Sequence, residues 1–505
     1  IDADAQELFE GECVGEPMAV PQGRCRVLGG ATAKWTGRCA ELDPQDFEPR
    51  AWAPWSGWPI SHANLAPYYR RAETVCGFPR PWRGDDSTPR LRHARALCQF
   101  EDIDFFIWRY AAQRWRTYQD WGTRFGPRLA RSPHVQLILG ADLVGFEGGG
   151  GRITAARARR ADGSLLRVRS RRFVLACGGI ENNRLLLNFV RDPASGLADP
   201  HDVLGRWFMQ HPRAVTARGA PSARACALMH LGQVRRGVHH EIGLALKPAV
   251  QAREGLLNAS AALRYVADPH DGWEVAKRMA RGAPVAADEI GALARDAGRI
   301  VGNLARRAAG LGPVPNAPTA ELVLDLEQAP DPQSRVLLSP QRDRLGLHKV
   351  RMDWRISRQD RATAAFMTRA CVTELTRFGL ADLTAAPNLD ETGGLAPEAM
   401  LESYHHLGGT RMSGDPRHGV VDADLRVHGM ENLYVLGGSV MPTGGHANPT
   451  FTIVALALRL ADQLMAGEAS RITVIEEAHP PSARRAPASP KRRGRTAAGS
   501  SAGTA

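Results

Sequence analysis

The stretch that decides the fold lies between residues 405 and 457. It reads HHLGGTRM at 405–412, GVVDADLRVHGMENLYVLGGSVMPT at 419–443 and GGHANPTFTIVALA at 444–457. The apolar run at 433–436 predicts a strand that ends in a glycine turn. Residues 449–464 predict a closing helix, because proline is tolerated in a first helical turn. This part of the chain therefore predicts a strand, a glycine-rich turn and a helix start.

Working outward, four further blocks precede this stretch. They read GGATAKWTGR at 29–38, SGWP at 56–59, VLACGGIENNRLLL at 174–187 and GRWFMQHP at 205–212. Apolar runs at 135–146 and 166–177 predict strands, and the second leads through a glycine pair into a helix at 181–189. Ser61 predicts the cap of a helix that Gly77 ends. Residues 200–397 mix strand patterns (321–326, 335–338, 350–354) with helical ones (273–308, 359–378).

Taken in order, these blocks resemble the glucose/methanol/choline (GMC) flavoprotein oxidoreductases, and the similarity runs almost end to end. The residues at 406–412 and 446–450 are most similar to motifs of the sugar-oxidising, pyranose 2-oxidase-like subgroup. The resemblance implies an α/β (α+β overall) fold, in which a Rossmann-like FAD-binding domain is joined to a mixed-sheet substrate-binding domain. It also implies FAD-dependent oxidation of a CH–OH group, of a sugar or polyol, by hydride transfer to flavin N5.

The resemblance implies that His406 is the catalytic base and Asn448 its partner. A neutral imidazole can accept a hydroxyl proton near pH 7. A carboxamide can donate to a developing alkoxide without a charge of its own. Asn448 also suits a helix N-cap, and that role stays open. We interpret His405, His211, His428 and His446 as structural residues and leave a functional role for them open.

The same resemblance implies contacts with FAD along several backbone segments. Glycines allow close approach of the backbone to a cofactor, and the N-terminus of the closing helix carries partial positive charge that favours reduced flavin. The expected cofactor-binding residues are Gly29, Gly30, Thr32, Lys34, Leu143, Gly178, Gly179, Gly437, Gly438, Pro449 and Thr450. Lys34 stands where some relatives carry a flavin-linked histidine, so we expect non-covalent FAD.

We expect four regions along the chain. These are a partial FAD-binding domain at 1–199 with a helical insertion at about 40–130, a substrate-binding domain at 200–397, a return to the FAD-binding domain at 398–470, and a basic disordered tail at 471–505. No G-x-G-x-x-G follows a strand, so we expect the nucleotide-binding unit of about 30 residues to precede Ile1. A non-catalytic remnant that does not hold flavin is the alternative to an enzyme.

Composition excludes several other classes. The net charge of +12 includes six basic residues and no acid after His479, and the other basic residues lack the aromatic interleaving of nucleic-acid sites. A heparin-like polyanion partner for the tail is a further alternative.

Eight isolated cysteines predict neither a disulfide framework nor a metal site. No apolar run is long enough to span a membrane. Without a signal peptide, we expect a cytoplasmic location and leave a periplasmic one open. The electron acceptor and the oligomeric state are not predicted.

Overall fold

The computed structural model describes most of the chain. The described residues are 3–78, 89–111, 120–229, 233–235, 238–309, 313–314, 316, 319–387, 400–466 and 475–477. All but three residues of the predicted tail lie outside this set. Among the residues described, no helix has the length and apolar character that a membrane crossing requires.

Seventeen strands occur in the part of the chain that the structure describes. They are β1 (Gly11–Cys13), β2 (Arg38–Cys39), β3 (Ile103–Ala111), β4 (Ala141–Gly149), β5 (Arg152–Arg160), β6 (Leu165–Arg169), β7 (Phe173–Leu175), β8 (Arg213–Pro221), β9 (Gln233–Arg235), β10 (Val238–Leu246), β11 (Ala259–Val266), β12 (Thr319–Leu326), β13 (Arg335–Arg342), β14 (His348–Asp353), β15 (Ala381–Ala385), β16 (Leu433–Val435) and β17 (Ile475–Glu477).

Twelve α-helices accompany these strands in the described segments. They are α1 (Ala3–Glu7), α2 (His62–Cys76), α3 (Pro89–Leu97), α4 (Trp121–Ala130), α5 (Gly179–Val190), α6 (Ala223–Met229), α7 (Pro248–Glu254), α8 (Gly272–Met279), α9 (Ala287–Arg295), α10 (Ala297–Ala308), α11 (Arg358–Arg377) and α12 (Pro449–Ala466). The mixed helix and sheet architecture confirms the predicted fold class.

The largest sheet among the described residues has eight strands, seven in the order β15-β8-β12-β11-β10-β3-β2 and an eighth, β9, that pairs with β10 outside this order. Each named neighbour is antiparallel. Helix α11 covers one face, and the apolar side chains between them form one core cluster that includes Trp354, Phe105 and Leu324. The sheet therefore supplies a rigid base for side chains at its strand ends.

Three smaller sheets accompany the large one in the described part of the chain. β7 and β16 form a parallel pair, and β17, β6, β5 and β4 form an antiparallel sheet in that order. A third sheet has the order β1-β14-β13, in which β1 and β14 are parallel. A second core cluster, which includes Phe189, Leu433 and Phe451, joins α5 and α12 to β4, β5, β7 and β16.

Most predicted elements are confirmed. Helix α2 begins after Ser61, whose hydroxyl accepts from the Asn64 amide, and ends at Gly77 in the left-handed region. The predicted strand at 166–177 is present as β6 and β7, and the glycine pair after it leads into α5. The closing helix is α12. Local caps and glycine turns therefore mark these boundaries well.

Three expectations on secondary structure are wrong in part. The run at 135–146 forms a strand only from Ala141 onward, because Gly140 adopts φ +64° and interrupts the extended backbone. The helical pattern at 273–308 is three helices, interrupted near Pro284 and again at Asp296. Within the predicted tail, Ile475–Glu477 is a strand that pairs with β6.

The insertion at about 40–130 is not purely helical. It contains α2, α3 and α4, but it also supplies β3, which pairs with β10 along nine residues. Arg38 and Cys39 pair with the same strand. The front part of the chain therefore contributes two strands to the sheet that we assigned to residues 200–397.

Candidate active site

His405 and Asn448 meet at the site. Nε2 of His405 lies 3.2 Å from Nδ2 of Asn448, the residue that directly precedes α12. His405 is half-buried, as is Asn448. The structure thus pairs Asn448 with His405 and not with His406, the histidine that the motif suggested.

A short antiparallel contact positions His405. Met209 and Leu407 exchange both backbone hydrogen bonds, at 2.9 Å each, so the residues two positions away on each side face each other. Those residues are His211 and His405, and their Nδ1 atoms lie 2.9 Å apart. The Gly444 carbonyl lies 3.2 Å from Nε2 of His211. His211, in the GRWFMQHP block, is therefore part of the same cluster.

His406 lies in different surroundings. Its ring stacks beside Phe208, with ring centroids 6.2 Å apart, and its buried Nε2 has no hydrogen-bond partner among the described residues. Its backbone is tightly enclosed: a Cβ on Gly179 would lie 2.3 Å from the His406 carbonyl oxygen, and one on Gly438 would lie 2.5 Å from the same atom. Two glycines expected to contact cofactor are thus also required by the packing of this segment.

The electrostatic surroundings keep these histidines neutral. Burial lowers the pKa of His211 to about 4. Burial, together with His211, lowers the pKa of His405 well below its ordinary value. Burial and the nearby Arg24 lower the pKa of His406 as well. A neutral imidazole is the form that can accept a proton.

An ionised carboxylate lies close enough to affect His405. Although burial opposes ionisation, Arg213 and Arg38 lower the pKa of Asp325 to about 2. Arg213 donates to one Asp325 oxygen at 2.7 Å, and Arg38 donates to the other at 3.2 Å. The charge of Asp325 favours the protonated form of His405 and partly offsets burial. The end of β12 thus supplies negative charge to the site.

The first glycine loop packs on α4. Gly29 has φ +91°, and a Cβ there would lie 2.3 Å from the Gly122 amide. Thr32 Oγ1 donates to the Gly29 carbonyl and accepts from the Trp121 amide. At Gly30, which has φ +56°, no atom lies within 4 Å of a Cβ position. Lys34 ends this short turn.

The other predicted cofactor residues lie in the turns after β7 and β16, in β4 and at the start of α12. Gly178, with φ +98° and open space at its Cβ position, connects β7 to α5. Gly437 connects β16 to the turn that follows. Leu143 is a half-buried residue of β4. Pro449 and Thr450 open α12.

Sequence reasoning missed the amide that joins the two glycine turns. The side chain of fully buried Asn182 accepts from the Cys177 amide and donates to the Leu436 carbonyl and to Ser439 Oγ. It therefore holds the turn after β7 against the turn after β16. Its place in the first turn of the helix that follows a strand and a glycine pair is the signal that could have identified it.

His446 lines a neighbouring cavity of about 670 Å³. Its Nε2 lies 3.4 Å from Asp43, and its ring stacks edge-on against Phe106. Burial favours the neutral form of His446, but the hydrogen bond to Asp43 and the charge of that carboxylate raise the pKa of His446 above its ordinary value. Arg109 and Lys247 also line this cavity. The turn that carries Asn448 thus also contributes His446 to a second cavity.

A known protein family matches the part of the chain that contains His405 and Asn448. Residues 330–457 match the family described as GMC oxidoreductase, and the match ends within α12 after both His405 and Asn448. Residues 330–457 are thus a GMC oxidoreductase C-terminal domain. Members of this family generally bind FAD.

Two relatives of this chain carry names that describe oxidoreductases. The fructose dehydrogenase large subunit of Gluconobacter japonicus is 26% identical over 317 residues, which are 62% of this chain and 51% of that protein. The chain thus spans about half the length of that relative. The 6'''-hydroxyparomomycin C oxidase of Streptomyces lividus is 26% identical over 496 residues, covering 88% of this chain and 80% of that protein.

The solved structure of pyridoxine 4-oxidase from Mesorbium loti has the same fold. Its TM-score is 0.56 at 16% sequence identity, and the alignment covers 88% of this chain and 85% of that chain. The likeness therefore extends well beyond residues 330–457.

Proposed function

We propose that this chain is an FAD-dependent GMC oxidoreductase that oxidises a CH–OH group of a sugar or polyol, with His405 as the catalytic base. The observation that carries the proposal is the 3.2 Å approach of His405 Nε2 to Asn448 Nδ2 at the start of α12. This geometry changes the choice of base that the motif suggested, from His406 to its neighbour.

His405 and Asn448 have different roles toward the substrate hydroxyl. His405 Nε2 accepts the hydroxyl proton, since the imidazole is neutral before the reaction. The Asn448 amide donates to the substrate oxygen as negative charge develops there. Asp325 then stabilises the protonated imidazole through its negative charge. Bound FAD supplies the acceptor for the hydride that leaves carbon.

The backbone of two glycine turns supports FAD binding. Open space at the Cβ positions of Gly30 and Gly178 leaves room for a ligand against the main chain. The α12 N-terminus carries partial positive charge, about half an elementary charge, which favours an anionic ring. We propose that the cofactor contacts Gly29, Gly30, Thr32, Lys34, Leu143, Gly178, Gly437, Pro449 and Thr450. Gly179 and Gly438 then act mainly by admitting the His406 backbone.

The names of the relatives support the substrate class. One is a fructose dehydrogenase subunit and another oxidises a hydroxyparomomycin, so both names point to hydroxylated, sugar-like substrates. We therefore propose a sugar or polyol substrate, and propose that the eight-stranded sheet that carries Asp325 forms the substrate side of the site.

Anaerobic mixing with candidate substrates tests the reaction. Purified protein saturated with FAD is mixed with ketoses, aldoses, polyols and simple alcohols, and flavin absorbance is followed. We expect bleaching with at least one hydroxylated compound, and we expect denaturation to release the flavin because its binding is non-covalent. A protein that takes up no flavin, or whose flavin is reduced by no alcohol in a broad panel, contradicts the proposal.

Variants of the two adjacent histidines test the assignment of the base. His405→Gln should slow flavin reduction by about 10² or more, the scale of a lost general base. His406→Gln, whose ring lies against Phe208 instead of Asn448, is the matched control and should slow the same step much less. A larger loss of rate in His406→Gln than in His405→Gln would restore the assignment that the motif suggested.

A further inference from the structure

A chain of three polar contacts extends from the start of α12 into the interior. It runs from the Asn448 amide to His405, from His405 to His211, and from His211 to the Gly444 carbonyl, over distances of 3.2, 2.9 and 3.2 Å. His211 is fully buried, whereas His405 is half-buried. These contacts thus connect Nε2 of His405 to the Gly444 carbonyl through the ring of His211.

The backbone end of this chain determines the position of each proton. The Gly444 carbonyl can only accept, so Nε2 of His211 carries a hydrogen. In a neutral imidazole the other nitrogen is then an acceptor, and His405 must donate to it from its own Nδ1. Nε2 of His405 then carries the lone pair, which faces the Asn448 amide and accepts from it.

Burial supports this assignment independently of the contacts. If His211 were protonated, its Nδ1–H would donate to His405 Nδ1, and a neutral His405 would carry its hydrogen on Nε2, where it could not accept from the Asn448 amide. Burial instead keeps His211 neutral, since its pKa is lowered to about 4. Only one arrangement of hydrogens then satisfies all three contacts.

We propose that His211 is a positioning residue that holds His405 as the Nδ1–H tautomer, so that Nε2 faces the substrate hydroxyl. This inference rests on the proposed role of His405 as base. The second ring nitrogen of a functional histidine is commonly held by an acceptor, often a carbonyl or carboxylate. Here a neutral imidazole, itself fixed by a carbonyl, serves as that acceptor.

The arrangement also suits the step that follows. When the hydroxyl proton moves to His405 Nε2, the Nδ1–H of His405 remains in place and becomes a charge-assisted donor to His211. No proton has to leave the pair, and His211 stays neutral throughout. The imidazolium is thereby stabilised without rearrangement of the buried side chains.

Nitrogen NMR of the full chain labelled with ¹⁵N-histidine tests the tautomer directly, without any turnover. Protonated and unprotonated ring nitrogens resonate in separate regions, and the spectrum of His405→Gln identifies the signals of His405 by difference. Near pH 7 we expect Nδ1 of His405 to be protonated and Nε2 to be unprotonated, and we expect no signal from the Nε2–H tautomer. A His405 that is predominantly Nε2–H in the wild-type protein overturns the inference.

Kinetics of three variants test the consequence. His211→Phe removes the acceptor, and should lower kcat by about 10² while KM changes little, because binding of the substrate does not depend on the tautomer. His211→Asn keeps an amide oxygen as acceptor and should recover at least about tenfold of that loss. His428→Phe is the matched control, since that ring also lies at hydrogen-bond distance from a carbonyl, 3.0 Å from Ser413.

The outcomes separate this inference from the proposed function. If His405→Gln abolishes flavin reduction but His211→Phe leaves both the tautomer and kcat unchanged, His405 remains the base and the positioning role of His211 is rejected. If His405→Gln leaves flavin reduction unchanged, the proposed base itself is rejected. Equal losses in His211→Phe and His211→Asn, with an unaltered His405 tautomer, indicate a structural role only and also reject the inference.

Discussion

His405 and His406 are neighbours in the chain, but their rings serve different surroundings. Leu407 pairs with Met209, and this register places His405 opposite His211. The ring of His406 packs beside Phe208, and its carbonyl oxygen is enclosed by Gly179 and Gly438. The two glycines therefore determine how closely α5 and the turn after β16 approach the catalytic segment.

Gly179→Ala tests this close approach. The added Cβ would lie 2.3 Å from the His406 carbonyl oxygen, so the backbone must shift. We expect a loss of about 1–3 kcal/mol in the free energy of unfolding, the usual range for overpacking. Gly414→Ala is the control, because no atom lies within 4 Å of its Cβ position, and its effect should stay within about 0.5 kcal/mol. Urea denaturation measures both, and equal stabilities of the two variants would contradict the packing.

At the scale of the elements, α2 fixes the helix that follows Asn448. Tyr69 stacks on Phe451 with ring centroids 5.3 Å apart, and its hydroxyl lies 2.8 Å from Thr452 Oγ1. Both residues of α12 are fully buried. Because Asn448 directly precedes this helix, the packing of α2 on α12 determines where the Asn448 amide lies relative to His405.

Tyr69→Phe removes the hydroxyl but keeps the aromatic packing. Thr452 is then left without this buried partner, which should lower the free energy of unfolding by about 1–2 kcal/mol. The adjacent Tyr68 is only half-buried, and Tyr68→Phe should have an effect within about 0.5 kcal/mol. Thermal and denaturant unfolding of the two variants give the comparison. A Tyr68→Phe loss as large as that of Tyr69→Phe would argue against this contact.

At the scale of the whole molecule, residues 43–58 connect the large sheet to the turn that carries Asn448. Arg50 forms a two-pronged ion pair with Glu327 just beyond β12, at 2.7 and 2.6 Å. At the other end, Trp58 Nε1 donates to Thr443 Oγ1 at 2.8 Å. This segment therefore holds the sheet and the glycine-rich turn in a fixed relation.

Glu327→Gln tests that connection. The side chains of Arg50 and Glu327 are almost completely inaccessible to solvent, so loss of the carboxylate leaves a buried guanidinium without its countercharge. We expect a loss of about 3 kcal/mol or more in the free energy of unfolding. Glu431→Gln breaks an exposed pair with Arg152 and should change stability by about 1 kcal/mol or less. Similar losses in both variants would show that Arg50 is solvated when its partner is removed.

Local patterns were sufficient for most elements. The Ser61 cap, the glycine pair after β7 and the proline at the start of α12 each act within a few residues, and the structure has the expected boundaries there. Patterns that depend on distant partners were less informative. β3 lies within a stretch predicted to be a helical insertion, because its place in the sheet depends on β10, more than a hundred residues later.

The sequence by itself indicated the resemblance to GMC oxidoreductases, the order of the glycine turns, and the presence of a histidine pair and an asparagine in the motif that suggested the site. Only the tertiary structure decided which histidine contacts Asn448. Consecutive residues of an extended segment point to opposite sides, so two adjacent histidines are equivalent candidates until a partner segment fixes their orientation. That partner is the segment at 209–211, whose pairing with Leu407 turns His405 toward His211 and Asn448.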